Sequence, residues 1–527
     1  APAAVAAPLV APPAAAAPAR TIPVTSPLYR YTFSTRGAAL VGAELREYSS
    51  LSEKEKPVQL VPRGVADFMA QRLVVGRDTV ELRTLPFTAS APGVELRSGD
   101  RPAALRFTYA APGGMGVEVV YTFRPDNYLV DVRGRVTGVQ GGTLLTRLGP
   151  GLATRDLPTD VGVVAMQADD IERFNFVDVE ERQELAGPVS WIGVKDKYFL
   201  AALVAPEGRP MQRAVVSPLP GERVREGDGE VVVLPRAEVM AVLPLQPDGT
   251  FAYSTYVGPQ EHDRMVAVGQ GLEEVTPYGY AWLRPVVRPI ASATLWVLGF
   301  LHNTLGVSYG WALIIFGVLV KLAFWPLNAK AMRAQMKNMA VQPLMQEIQT
   351  KYKNDPKRQQ EEMVRLYKEH GFNPLAGCLP LLIPMPVFIT LFFVFQNAIA
   401  FRGTGFWWMP DLSQKDPYYI IPVLFVASIF LTQWISNKVG AMEMNPQMKM
   451  MMYVMPVVMG VFFFTFASGL NLYYTASNLA GLPQQILIAR ERRRATEEMK
   501  AKNAPPARPS APGGGPHRAR PAKGPRK

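Results

Sequence analysis

The residue whose type and setting first suggest chemistry is Lys321, a lone charge inside the apolar stretch WALIIFGVLVKLAFWPLN, Trp311–Asn328. The stretch reads as a transmembrane helix. A charge near mid-helix in lipid costs roughly 2.5–3.5 kcal/mol on insertion scales, and such residues usually face a bundle interior or a wet cavity. A second reading stays open at this point. Lys321 lies only about 10 Å of helix short of Asn328, near enough for its ammonium to snorkel to the membrane surface.

Other chemistry-bearing residues are sparse. The single cysteine, Cys378, allows no intrachain disulfide. His262, His302, His370 and His517 are far apart and match no zinc spacing. Adjacent acids at Asp169–Asp170 and Glu180–Glu181 offer a conceivable carboxylate pair, but neighbouring acids on a loop are ordinarily solvated surface. The chain carries no phosphate-binding glycine loop and no nucleophile elbow. The expectation is a protein that is not an enzyme, with no cofactor and no metal.

The elements that must position Lys321 divide the 527 residues into two unlike parts. Residues 1–20, nearly all Ala and Pro, read as a disordered linker. From 21 to about 280, short alternating strands such as Leu28–Phe33, Ala38–Tyr48, Val117–Phe123 and Phe251–Val257 are punctuated by turns at Pro112-Gly113-Gly114 and Asp248-Gly249. This pattern predicts a large antiparallel sandwich, doubled in view of its length. Residues 281–306 read as an interfacial amphipathic helix anchored by Trp296, broken near Asn303–Gly306 because one continuous run would be too long for a single span.

Five spans are expected within 307–489: Val307–Leu327, Leu379–Ala400, Tyr418–Ile435 with Gln433, Met452–Ala467, and Leu470–Ile488 with Tyr474. A charged, Met-rich helical hairpin at 329–372 separates the first two, turning at Asn354-Asp355-Pro356. Its partial stripe of Met332, Met336, Met339, Met345, Ile348 and Met363 reads first as hairpin packing. Flexible methionines also suit loose contact with varied apolar partners. The tail 490–527 is basic.

Charge sets the orientation. The net charge is +12, yet residues 1–320 hold 30 Lys/Arg against 33 Asp/Glu, residues 329–376 hold 9 against 5, and the tail from Arg490 holds 12 against 3. Lys/Arg excess marks the cytoplasmic side. The hairpin and tail are therefore expected inside, with the β domain and the Trp407-Trp408 loop outside. A membrane segment ahead of Ala1 is expected, because an exported domain needs one. The tail has two candidate partners, anionic lipid and ribosomal RNA.

VKLAFWPLNAKAMRAQMKNM, VQPLMQEIQTKY, YKEHGFNPLAGCLPLLIPMPVF, DLSQKDPYYIIPVL, NPQMKMMMYVMPVVMGVFFF and SGLNLYYTASNLAGLPQQ follow one another over Leu283–Glu491. By these motifs and their order the membrane part resembles the YidC/Oxa/Alb family of membrane protein insertases. WIGVKDKYFLAALV and YVGPQEHDRM match more loosely the periplasmic domain of the Gram-negative branch. The resemblance implies a multi-domain chain: a periplasmic all-β supersandwich, then an α-helical transmembrane bundle of five core helices, with a further N-terminal helix outside this numbering. It implies a bacterial inner-membrane location and a hydrophilic groove open to cytoplasm and lipid. Lys321, where most members carry Arg, Gln433 and Tyr474 match groove positions, while Pro384 replaces a polar lining group. Phe388, Phe392, Phe462 and Phe463 match the surface along which substrates exit. The implied partners are nascent membrane proteins, the Sec translocon (SecYEG, SecDF) and, through the tail, the ribosome. A transporter or channel with an intramembrane Lys is the alternative, and would ordinarily show internal repeats. Supersandwiches also resemble sugar-mutarotase folds, so carbohydrate binding by the outer domain is a third possibility.

Overall fold

The computed structural model describes residues 18–51, 56–62, 64–65, 68–139, 141–154, 161–225, 231–279, 281–330, 342–369, 385–440 and 446–502. The linker 1–17, Met332, Met336, Met339, His370, Cys378, Pro384, His517 and the tail beyond Lys502 lie outside them.

The first half is the β domain. Two sheets make it, one of five strands and one of fourteen among the described residues, antiparallel except where Val24–Thr25 pairs in parallel with Val94–Glu95. Alternation in the sequence decides which side chains face inward. In Tyr29–Ser34 the rings of Tyr29, Tyr31 and Phe33 are buried while Arg30 is exposed. In Gly116–Phe123 the buried set is Val117, Val119, Tyr121 and Phe123. These two faces meet: Phe33 lies 4.7 Å from Tyr121, 5.6 Å from Phe123 and 6.1 Å from Phe107 between ring centroids. Each such ring contributes roughly 1.5–3 kcal/mol on burial. Phe199–Val204 is buried throughout, because it is a central strand paired on both edges, to Trp191–Lys195 and to Ser254–Pro259. At the Asp248-Gly249 turn, Gly249 has φ +75°, and a Cβ there would sit 2.1 Å from the Val136 carbonyl oxygen.

The helices follow in order: α1 (His262–Val268), α2 (Arg284–Gly299), α3 (Tyr309–Ala323), α4 (Gln342–Lys351), α5 (Pro356–Glu369), α6 (Met385–Asn397), α7 (Ile420–Gly440), α8 (Pro446–Phe463), α9 (Ser468–Ala480) and α10 (Leu482–Lys502). A π-helical turn, Phe300–Thr304, ends α2, and Gly306 follows at φ +69°. The Asp355 carboxylate accepts the Arg358 N–H at 3.1 Å and caps α5.

Among the described residues only Ile420–Val439 is long and apolar enough to cross a membrane by itself; Tyr309–Ala323, Met385–Asn397 and Tyr453–Phe463 are shorter apolar helices. Prolines account for two of the interruptions. Pro326 has no N–H for the Leu322 carbonyl, and the chain turns at Phe324 before helix resumes over 325–330. Pro483 likewise leaves the Leu479 carbonyl without its usual donor, and α9 gives way to α10 at Gly481.

The chain forms two compact units. One comprises 1–317, 381–423 and 460–475; the other comprises 318–380, 424–459 and 476–527. The first joins the β domain to α2, α6 and the loop after α6. Ile399 belongs to the β-domain core, and Arg402, also buried, donates from Nη1 to the Ser49 carbonyl at 2.8 Å. Its guanidinium lies 5.2 Å from the Phe199 ring centroid and 5.8 Å from that of Tyr198. Asp416 caps α7, accepting the Tyr418 N–H at 3.0 Å and the Ile421 N–H at 2.7 Å.

Candidate functional site: a polar seam in the helical unit

Lys321 sits on the last turn of α3, half-buried, in the second unit. Gly481 faces it closely: a Cβ there would lie 2.5 Å from Lys321 Cε and 3.0 Å from Nζ. Only a residue without a side chain leaves the ammonium this room. Gly481 follows the C-terminal end of α9, where the last carbonyls have no intrahelical partner and the helix dipole favours a cation. Among the described residues Lys321 has no ion pair with an acid.

Three further contacts tie the helices of this unit through polar groups. Asn478 Nδ2 donates to Ser428 Oγ at 3.2 Å, linking α9 to α7. Ser436 Oγ pairs with Gln485 Oε1 at 3.3 Å, linking α7 to α10. Gln484 Nε2 donates to the Trp325 carbonyl at 2.8 Å, linking α10 to the stretch after α3. Gln433, on α7, has its Oε1 buried with no hydrogen-bond partner among the described residues. An unsatisfied amide oxygen in such a setting costs about 1–3 kcal/mol. Lys438 lies 4.6 Å over the Trp434 ring on the same helix.

The other residues singled out in the sequence belong to the first unit. Tyr474 donates its hydroxyl to the Phe388 carbonyl at 3.4 Å, and its ring stacks on Phe388 with centroids 5.0 Å apart. Phe392 meets Phe466 edge-on at 5.1 Å. Phe388 and Phe462 are exposed, whereas Phe463 is buried against Phe466 and Tyr474. Asp169, Asp170, Glu180 and Glu181 are all exposed. Among the described residues no group of three His, Cys, Asp or Glu could hold a metal ion.

Sequence reasoning named Lys321 and Gln433 as groove residues and did not name Ser428, Ser436, Gly481 or the pair Gln484–Gln485. The signal for Gly481 was available in principle, as a Gly-Leu-Pro between two helical runs. Single serines in an apolar helix carry no such mark.

The comparisons with known proteins cover the whole of this architecture. Residues 21–293 match the family model described as the YidC periplasmic domain, and residues 300–496 match that of the 60Kd inner membrane protein. The membrane protein insertase YidC of Syntrophus aciditrophicus is 31% identical over 482 residues, covering 89% of this chain and 85% of the relative. The chain belongs to the YidC family of membrane protein insertases. The Bordetella avium insertase is 32% identical over 504 residues, covering 92% and 85%. Among solved structures, an active YidC insertase with its first transmembrane domain resolved aligns with TM-score 0.35 at 18% identity, over 89% of this chain and 94% of that one. A GalM/aldose epimerase homologue from C. elegans aligns with TM-score 0.30 at 9% identity, over 46% of this chain and 98% of that one. The protein is thus an inner-membrane insertase with a β domain of the periplasmic type, followed by a helical membrane region.

Proposed function

We propose that the insertase lowers the barrier to membrane insertion by offering the polar segments of its clients a hydrated groove built around Lys321 and Gln433. One observation carries this reading. Within the helical unit, Lys321 stands against Gly481 without an acid partner among the described residues, while Gln433 holds a buried amide oxygen that nothing described satisfies. A structural seam would be expected to close its own hydrogen bonds; these two groups leave theirs open among the described residues.

A client helix gains transfer free energy by itself, about 0.8 kcal/mol per buried CH₂. Its short polar tail is the obstacle, since unpaired polar groups in hydrocarbon cost several kcal/mol each. A wet, positively charged groove open to cytoplasm and lipid reduces that cost, most for acidic tails. Tyr474 joins the groove by resemblance of its motif. Phe388, Phe392, Phe462 and Phe463 form the apolar route into lipid, with Phe388 and Phe462 as its exposed members. No covalent step is involved, so the protein acts as a chaperone and insertase rather than an enzyme. In this reading the β domain is periplasmic, the hairpin and tail are cytoplasmic, and the basic tail meets the ribosome or anionic lipid. The Sec translocon is the partner for larger clients.

Depletion and complementation test the proposal. Lys321→Arg is expected to restore growth and insertion of clients with acidic tails. Lys321→Ala is expected to leave those clients uninserted; full rescue by Lys321→Ala would overturn the groove's role.

A further inference from the structure

Helix α2 has two opposed apolar faces. Val287, Ala291, Thr294 and Leu298 are buried, on a helix that packs along α6. Trp282, just ahead of the helix, and Val286, Trp296 and Phe300 form an exposed stripe, with Trp282 77% and Trp296 68% accessible. Spacings of four, ten and four residues put these side chains on one face. Only nine residues separate Gly299 from Tyr309, where α3 begins. In an inner-membrane protein, such a stripe with tryptophans near both ends fits a helix lying in the membrane interface.

At the start of α2 three guanidinium groups converge. Arg288 is ion-paired with the Glu274 carboxylate, Arg284 Nη1 lies 3.9 Å from it, and Arg173 Nη2 donates to the Glu274 backbone carbonyl. Arg173 is exposed overall, yet partial desolvation and, second, the charge of Arg284 hold its pKa down to about 10. Arg284 and Arg288 stand at the positive end of the helix dipole, where cations are disfavoured. Among the described residues no side chain caps this N-terminus, and its first turn has no acid, so its leading N–H groups lack a described side-chain acceptor. Beside them opens a cavity of about 510 Å³, lined by Arg173, Arg284, Arg288, His262, Thr276 and Ser292. Two carboxylates on its wall, Glu273 and Glu274, leave the three arginines in excess.

We propose that this cavity binds the phosphodiester headgroup of an anionic phospholipid in the leaflet nearest the β domain, whose acyl chains lie along the Trp282–Phe300 stripe. Phosphate oxygens match the planar fork of arginine in pairs, and a second anion beside Glu274 relieves the crowding of like charges. The apolar stripe selects a lipid over a soluble phosphate, because Pro289, which lines the cavity, lies three residues after Val286 on the face of the stripe. This inference stands independently of the groove.

Native mass spectrometry of the full chain in detergent tests it, with short-chain phosphatidylglycerol, phosphatidylcholine of equal chain length, and glycerol 3-phosphate as probes. The wild type is expected to retain one tightly bound phosphatidylglycerol per chain, at least tenfold more tightly than phosphatidylcholine, and glycerol 3-phosphate is expected not to displace it. R284Q/R288Q is expected to lose that lipid and R284K/R288K to keep part of the affinity. W282S/W296S, which leaves the arginines in place, is expected to weaken the lipid severalfold and covers the case in which R284Q/R288Q fails to fold. Undiminished phosphatidylglycerol binding by a folded R284Q/R288Q or by W282S/W296S would overturn the proposal. Stoichiometric displacement by glycerol 3-phosphate would also overturn it, assigning the cavity to a soluble anion.

Discussion

At the scale of single residues, two positions have consequences that can be measured. Gly481 leaves room for Lys321, so Gly481→Ala forces the lysine aside by its Cε and Nζ contacts. The expected outcome is a several-fold loss of insertion for clients with acidic tails, read by protease protection. In the Lys321→Ala background the same change should cost almost nothing more, since the two residues act through one contact. Asp196 is the second. Its carboxylate is buried in the β domain, accepting N–H groups from Tyr198 at 2.8 Å and Phe199 at 2.6 Å and the Thr154 hydroxyl. Burial dominates and raises its pKa to about 6. The native state therefore holds a proton that the unfolded chain releases near pH 4. Stability should be greatest below pH 4 with respect to this group, fall by up to about 3 kcal/mol between pH 4 and 6, and then stay level. Asp196→Asn, a neutral isostere, should flatten that slope in urea titrations of the full chain in detergent. An unchanged slope would place the proton elsewhere.

At the scale of elements, the β strands were legible, as were the breaks near Asn303–Gly306 and at Asn354-Asp355-Pro356, but the joints at Pro326 and Gly481 were not. Alternation exposes itself in the chain: Tyr29, Tyr31 and Phe33 or Val117, Val119, Tyr121 and Phe123 can face only one way in a sheet with one buried side. Joints depend on a missing N–H and a neighbour distant in sequence. Pro326 and Pro483 are visible in the chain, but that Gly481 lies against Lys321 is a tertiary fact. The loop after α6 is similar. Its Trp pair reads as a membrane-surface feature, yet Ile399 and Arg402 enter the β-domain core, which no local pattern announces. Arg402→Ala removes the hydrogen bond to Ser49 and the ring contacts of a buried guanidinium, a loss of about 2–4 kcal/mol to this attachment. Limited proteolysis should then cut within 398–417 much faster than in the wild type, while the β domain stays resistant; equal rates would show that the attachment rests on other residues.

At the scale of the whole molecule, the division into an alternating β half and an apolar helical half follows from composition and periodicity, and the family from motifs that occur in order along the chain. What composition alone could not decide is whether Lys321 snorkels or serves. Lys321 packs against Gly481 in the unit whose polar contacts join α7, α9 and α10, and the proposal that it serves a client rests on that setting. Proteoliposomes containing only this protein decide the matter most directly. The client is a small two-span protein with a short acidic translocated loop, scored by protease protection, with empty liposomes and Lys321→Ala in parallel. The account predicts insertion that requires the protein and falls at least several-fold in Lys321→Ala. Protein-dependent insertion at an equal rate in the variant would contradict it and return Lys321 to the membrane surface.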